Sequence, residues 1–345
     1  MEKASNGFNF GPIFIFIASL LWTTDAFVRS HFEGKLTAEQ VVLLEHTIIC
    51  IAISPLIYKY LNKMFKLDGK EWISIIIIGV GGSALATVAL TEGFFMGDYP
   101  YQYVVQVVFL QQLQPIIAIG LAHLLLKERL PPYYYIFSLT GIFGAFLLVF
   151  ADPNVDLIDG STLQMHNINT FLTNIKASDG YTAAMLGLTA AALWGASTVF
   201  GRYMLENGRS KSTYPEMTTY RFFIAFIFLV ILIPFYSRAD GYPTPYDFNT
   251  VQIKLGLLYV ALVVGLLSLW MYYYGLKTTK ASISTIMELG YPLSFYVIIP
   301  FLNDNIKPNF AQLLGTVILF LSSTALLLVN NSIKSQESSM NATSS

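Results

Sequence analysis

The sequence predicts an all-α integral membrane protein fold of ten transmembrane helices, arranged as two inverted five-helix repeats. Three observations carry this. Hydrophobic residues make up 54% of the 345 and charged residues only 12%, where soluble domains carry about 25% charged. Charge-poor stretches of the roughly 20 residues that cross about 30 Å of hydrocarbon recur along nearly the whole chain. The first five stretches resemble the second five.

The spans are expected at 10–30, 39–59, 72–97, 101–126, 131–151, 181–203, 217–237, 255–276, 281–302 and 308–330. The first is read as a retained helix, since it is long, lacks a strongly basic start and has no Ala-x-Ala-like end. The fourth and ninth contain interior prolines, Pro115 and Pro292, and the fifth and tenth follow turns ending in Pro131-Pro132 and Pro308. This gives a first repeat over 10–151, an external linker over 152–180, a second repeat over 181–330 and a polar, Ser-rich tail over 331–345. The tail's composition predicts disorder. The linker acids Asp152, Asp156, Asp159 and Asp179 lack EF-hand spacing, so the linker reads as solvated rather than as a calcium loop. The lone Cys50 rules out an internal disulfide and reads as an apolar filler.

Orientation follows from the positive-inside rule. With the N-terminus inside, 13 of the 20 Lys and Arg residues fall in inner segments and 6 in outer ones, with Arg221 inside a span. Ten spans return the C-terminus to the same side, so both termini are expected in the cytoplasm, by default of a prokaryotic plasma membrane. The net charge of −1 and the absence of a basic stripe exclude a nucleic-acid partner. The partners expected are the lipid bilayer and a small polar solute.

The repeat is visible in particular residues. Leu21-Trp22-Thr23-Thr24-Asp25 in the first helix matches Leu193-Trp194-Gly195-Ala196-Ser197 in the sixth. Phe94-Phe95-Met96-Gly97 matches Tyr272-Tyr273-Tyr274-Gly275, and Pro115 and Pro292 follow those glycines at nearly equal distances. An odd number of helices per copy makes the second copy enter the membrane from the opposite side. Inverted repeats place a solute site near the midplane between the halves, and the halves rock around it.

These residues, with Leu20-Leu21-Trp22, Gln114-Pro115 and the Leu126-Lys127-Glu128-Arg129-Leu130 turn, resemble the drug/metabolite transporter superfamily in its ten-helix EamA form, over about residues 10–330. The resemblance implies a central cavity lined by helices 1–4 and 6–9, with helices 5 and 10 as scaffold. It also implies secondary transport of small polar metabolites, often amino acids or related solutes. Many members carry an arginine near the outer start of helix 2, where this chain has Glu45-His46; helix 7 keeps one as Arg221.

Ionisable groups inside spans are expensive and normally face a cavity or a partner. Asp25, Glu45 and Glu92 are expected toward the outer ends of helices 1, 2 and 3. There they would form an acidic vestibule that attracts cations or, with His46, binds a coupling proton; proton linkage is expected through Glu45 or Glu92. Asp25 also stands four residues before Arg29, the spacing of an intrahelical ion pair. Arg221 and Glu288 are expected to pair as a structural lock between helices 7 and 9, with Glu288 also touching solute. His123 is read as a packing residue near the inner end of helix 4. Gln102, Gln106, Gln111, Gln112 and Gln114 cluster before Pro115; their amides need partners, and Gln106, Gln111 and Gln114 are candidate solute contacts. Pro115 is expected to free a backbone carbonyl beside them. Trp22, Trp194, Trp270, Tyr272 and Tyr291 are candidate aromatic walls able to hold an organic cation. The glycines Gly79, Gly81, Gly82, Gly93 and Gly97 predict close helix contacts.

The function expected is therefore secondary transport, by alternating access, of an amino-acid-like solute or an organic cation, with proton coupling. The alternatives are a non-transporting receptor or scaffold, and an intramembrane enzyme. No zincin motif, nucleophile elbow, P-loop, metal-ligand cluster or cofactor motif is present to support catalysis or ATP-driven pumping.

Overall fold

A computed structural model describes residues 9–96, 107, 110–111, 113–128, 131–150, 178–239, 250–293, 310, 313–322, 324–326 and 328–329. Gln102, Gln106, Gln112, most of the expected linker and the tail lie outside the described residues. Among those described, the regular structure is helical throughout. Four helices are long and apolar enough to cross a bilayer, or five when one bent pair is counted as a single span.

The chain opens with α1 (Gly11–Arg29). Next comes α2 (Ala38–Ala52), started by a capping box in which Thr37 and Gln40 satisfy each other's backbone N–H groups. The second span was expected to run unbroken from 39 to 59. Instead it turns by 89° at Ile53 into α3 (Ser54–Met64). Pro55 in the first turn of α3 explains the break: its ring and missing N–H are tolerated at a helix start but not in a helix interior. A second capping box, Asp68 with Glu71, starts α4 (Gly69–Phe95).

The short helix α5 (Gln114–Leu125) and the scaffold helix α6 (Pro132–Phe150) complete the first half. The second half contains α7 (Ser178–Arg202), α8 (Tyr214–Ala239), α9 (Val251–Leu276), α10 (Ala281–Met287) and the single turn α11 (Gly290–Leu293). Residues 178–180, assigned to the linker from sequence, belong to α7. Pro115 also departs from expectation. It occupies the first turn of α5, after a break at Leu113, so it begins a helix rather than interrupting one.

Both α4 and α9 widen into π-helix in their middle, over Ile77–Leu85 and Val260–Leu267. The packing exchanges the halves: α1 lies on α9, α10 and α11, while α7 lies on α4 and α5. Likewise α2 meets the π segment of α9, α8 meets the π segment of α4, and α2 and α8 touch each other. Glycines permit the closest approaches. A Cβ on Gly82 would lie 2.5 Å from Ser197 of α7, and one on Gly79 would lie 2.8 Å from Ile224 of α8.

Polarity is distributed inside out. Large apolar side chains such as Ile51, Ile136, Phe143, Ile231 and Leu255 face outward, while Arg29, Glu45, His46, Arg221 and Thr285 are buried. A helix surface of that kind suits hydrocarbon, not water.

One end of the bundle is held together by bonds between the halves. Lys63 Nζ donates to Glu216 Oε1 at 2.6 Å, and the Ser210 N–H donates to Glu71 Oε1 at 2.6 Å. Glu128 accepts from the N–H groups of Ala281 and Ser282 at 3.0 and 3.2 Å, and from the Ser282 hydroxyl at 2.8 Å. It thereby satisfies the otherwise unpaired donors at the start of α10. Asn9 Nδ2 donates to the Thr278 carbonyl at 2.8 Å.

Candidate functional site

Between the halves lies a cavity with about 970 Å³ of empty space, its open mouth included. Residues from α1, α2, α4, α7, α8, α9 and α10 line it, together with Gln111, Gln114, Pro115 and Tyr291.

Three charges gather at its α1–α2 wall. Arg29 Nε donates to Asp25 Oδ2 at 2.7 Å, and Arg29 Nη2 donates to Glu45 Oε2 at 2.7 Å. Arg29 Nη1 donates to Thr91 Oγ1 at 3.2 Å. Arg29 is 1% exposed. The expectation of an open acidic vestibule is therefore corrected: both carboxylates are engaged by one buried guanidinium, and the pair expected from the four-residue spacing of Asp25 and Arg29 is present. Its fork suits two carboxylates where a lysine ammonium would not. Glu92 is exposed on the outside of α4 and takes no part in the cavity, which removes it from the vestibule.

Beside this cluster His46 is buried and held at both ring nitrogens. Nδ1 lies 2.8 Å from the Val42 carbonyl, which can only accept, so Nδ1 carries a proton. Nε2 lies 3.0 Å from Ser83 Oγ. The ring also meets Phe222 edge-on, at 5.4 Å between centroids.

Arg221 and Glu288 also line the cavity, but not as an ion pair. Arg221 Nη2 donates to the Gly82 carbonyl at 2.8 Å, and Nη1 donates to Ser197 Oγ and Tyr273 Oη at 3.1 and 3.3 Å. Glu288 accepts from Gln114 Nε2 at 2.7 Å and from Ser284 Oγ at 3.3 Å, with the Tyr272 hydroxyl also in bonding reach. The expected lock is thus replaced by two separate sets of neutral partners. The physical reason lies in α4, whose π segment turns the Gly82 carbonyl toward the guanidinium.

Two indoles frame the site in related ways. Trp22 Nε1 donates to Ser268 Oγ at 2.6 Å, and Trp194 Nε1 donates to the Gly82 carbonyl at 2.7 Å. Each joins the first helix of one half to the π-widened helix of the other. Ser268 in turn donates to the Val264 carbonyl within the α9 π segment. π-Helical segments leave carbonyls free to accept such side chains, and they recur at functional sites. Tyr272, Tyr291 and Phe222 complete the aromatic lining, and Trp22 lies 5.5 Å from Tyr272 between ring centroids. Trp270, a candidate wall, instead packs edge-on against Tyr214 at 5.8 Å, away from the cavity. His123 is exposed near the end of α5, not packed inside.

Three buried polar atoms on lining residues have no partner: Asp25 Oδ1, Gln111 Oε1 and Arg221 Nε. A buried unpaired acceptor or donor is costly, and here two acceptors and a donor belong to residues that line the same cavity. Among the described residues no group of His, Cys, Asp and Glu has the arrangement of a metal site.

Sequence reasoning missed Ser83, Ser197, Thr198 and Phe222 as lining residues and Glu45 as a partner of Arg29. The Gly81-Gly82-Ser83 run was the available signal.

The model of the EamA-like transporter family matches this chain twice, over residues 9–150 and 181–328. The chain is 25% identical over 324 residues to the riboflavin transporter ImpX of Fusobacterium nucleatum subsp. nucleatum, covering 93% of this chain and 98% of that protein. A solved crystal structure shares the fold with a TM-score of 0.66 at 14% identity, covering 95% of this chain and 99% of its own.

Proposed function

Since the chain belongs to the EamA-like transporter family, we propose that it carries a small polar solute across a prokaryotic plasma membrane by alternating access of the central cavity. In this reading it has ten transmembrane helices in two inverted repeats, over 10–151 and 181–330, with both termini cytoplasmic. The exchange-related packing of α1 on α9 and α7 on α4 supports the inverted arrangement. The bonds from Lys63, Glu71 and Glu128 across the halves then represent a seal on the cytoplasmic side.

The observation that carries this reading is the cavity itself. It is enclosed by both halves and walled by aromatic rings, and its lining residues Asp25, Gln111 and Arg221 each carry a buried polar atom without a partner among the described residues. Two acceptors and a donor match a planar heterocycle that presents N–H and C=O groups on its edge. Riboflavin, the solute named for the 25% identical relative, has such an edge and is the first solute to test. Arg29 engages both Asp25 and Glu45, which leaves a formal charge of −1 on that cluster, so organic cations are tested beside riboflavin.

Purified protein in proteoliposomes should show saturable riboflavin flux down an imposed gradient, reduced in Trp194→Ala and in Gln111→Ala. Amino acids, organic cations and nucleobases serve as competitors to rank the class. Absence of saturable flux for every solute in that panel would overturn the reading.

A further inference from the structure

Of the acids that line the cavity, Glu288 alone has no cation in ion-pair contact among the described residues. Asp25 and Glu45 share Arg29, at 2.7 Å each. Glu288 is partly buried, with its open part in the cavity, and its partners are the neutral donors Gln114, Ser284 and Tyr272. From α8, Arg221 acts on it electrostatically across the cavity, but both Arg221 Nη atoms are spent on Gly82, Ser197 and Tyr273.

The other titratable groups that face it, among the described residues, are few. From α9 the facing titratable group is Tyr272, whose hydroxyl is also 2.7 Å from Thr198 Oγ1 of α7. From α6, Tyr134 donates to the Ser282 carbonyl, one turn and a half away. The charged groups of α1 and α2 that line the cavity are Asp25, Arg29 and Glu45, with Arg29 held by both carboxylates, and His46 of α2 is tied to Val42 and Ser83.

The backbone setting is equally specific. Glu288 and Leu289 form the break between α10 and α11, and the Gln114–Glu288 bond crosses from one half to the other. Gln114 itself opens α5, directly after the break at Leu113. The carboxyl therefore sits at a backbone break and bonds across to the residue that follows the other break.

We propose that Glu288 is the proton-binding site that couples solute movement to proton movement, an inference that rests on the transporter reading above. In the step, one carboxylate oxygen of Glu288 takes a proton from water in the open cavity, and the side chain passes from −1 to neutral. With the cavity closed to both sides, the charged form has neither water nor a counter-ion. On insertion scales a central carboxylate is disfavoured roughly 100-fold. Reorientation then proceeds through the protonated form, and the proton is delivered to the other side.

The test uses the full chain in proteoliposomes with the membrane potential clamped and riboflavin as the probe. Two rates are read for wild type and Glu288→Gln: riboflavin exchange at equal pH, and riboflavin accumulation under a one-unit pH gradient imposed in each direction. One pH unit corresponds to an accumulation of up to about tenfold for one proton per solute. Wild type is expected to accumulate in one gradient direction. Glu288→Gln, which mimics the protonated form, should exchange riboflavin yet accumulate none. Accumulation by Glu288→Gln equal to wild type overturns the inference, as does wild-type flux indifferent to pH while riboflavin still moves. No riboflavin movement by wild type in either assay sinks the riboflavin reading and this inference with it. If Glu288→Gln does not fold, Glu288→Asp decides: it should keep accumulation with a displaced pH profile, and an unmoved profile overturns the assignment.

Discussion

Replacing Arg29 by methionine removes a charge whose two partners have nowhere else to turn. Asp25 is 8% exposed and Glu45 4%, and both accept from Arg29 at 2.7 Å. Breaking a buried ion pair by deleting one partner costs about 3–5 kcal/mol, because an uncompensated charge is left behind. Here two carboxylates are left, so Arg29→Met belongs at the upper end of that range. Glu45→Gln is milder. It keeps the Asp25–Arg29 pair and loses one charge-assisted hydrogen bond, about 1.5–3 kcal/mol. The triple neutral variant Asp25→Asn/Arg29→Met/Glu45→Gln removes all three charges and should recover most of the loss, as apolar or neutral replacements of buried ion triads do elsewhere. Reversible unfolding in mixed detergent micelles, followed by tryptophan fluorescence, orders the four proteins. Arg29→Met unfolding together with wild type, or the triple variant no more stable than Arg29→Met, would refute the reasoning that this cluster is a single electrostatic unit.

Three further outcomes follow from the same structure. Gly82→Ala places a Cβ 2.5 Å from Ser197, so it should destabilise by about 1–3 kcal/mol through overpacking and weaken riboflavin binding in a fluorescence titration. Gly120→Ala, whose Cβ would meet nothing within 4 Å, is the control and should be neutral or slightly stabilising. Glu128→Ala removes the acceptor of three donors at the start of α10 and should lower stability by about 0.5–2 kcal/mol, the scale of a lost helix cap, read in the same unfolding assay. Trp194→Phe loses the 2.7 Å bond to Gly82 and should reduce affinity for the proposed solute, riboflavin, whereas Trp270→Phe, outside the cavity, should leave affinity unchanged.

The repeat was legible from sequence because duplication leaves landmarks that survive divergence: Trp22 with Trp194, Pro115 with Pro292. Apolar spans of the right length were legible for the same reason that hydropathy works at all, since backbone groups in hydrocarbon must bond within their own helix. The bend at Ile53 was readable in principle from Pro55 but was overridden by the apolar run around it. The π segments of α4 and α9 were not readable, because one extra residue in a helical turn leaves no compositional mark. That omission explains the failed Arg221–Glu288 lock: without the widened turn, the Gly82 carbonyl would point along α4, not at Arg221. The Asp25–Arg29 pair was legible from its four-residue spacing, whereas Glu45 as the second partner was not, because it comes from another helix. Trp270 and Glu92 show the remaining difficulty. Hydropathy places a residue inside a span but does not fix its direction around the helix axis where the outer face is as apolar as the inner.

The two halves agree in scaffold and differ in chemistry at the cavity. Each presents a tryptophan donating to the other half's π-widened helix. Yet Asp25 stands opposite Ser197, Gln111 opposite Glu288 (each four residues before its proline), and Glu45-His46 opposite Arg221. Strict symmetry at any of these positions would be costly. Glutamates at both 111 and 288 would repel across a low-dielectric gap, and arginines in both α2 and α8 would do the same. Divergence resolves that by gathering the ion cluster on the α1–α2 wall and leaving a solitary carboxyl at the α10–α11 break. In the proposed alternating-access cycle, rocking the halves exchanges their shapes but cannot exchange these groups. The inward- and outward-facing states of that cycle are therefore unequal in energy, and the proposed proton on Glu288 would change that difference.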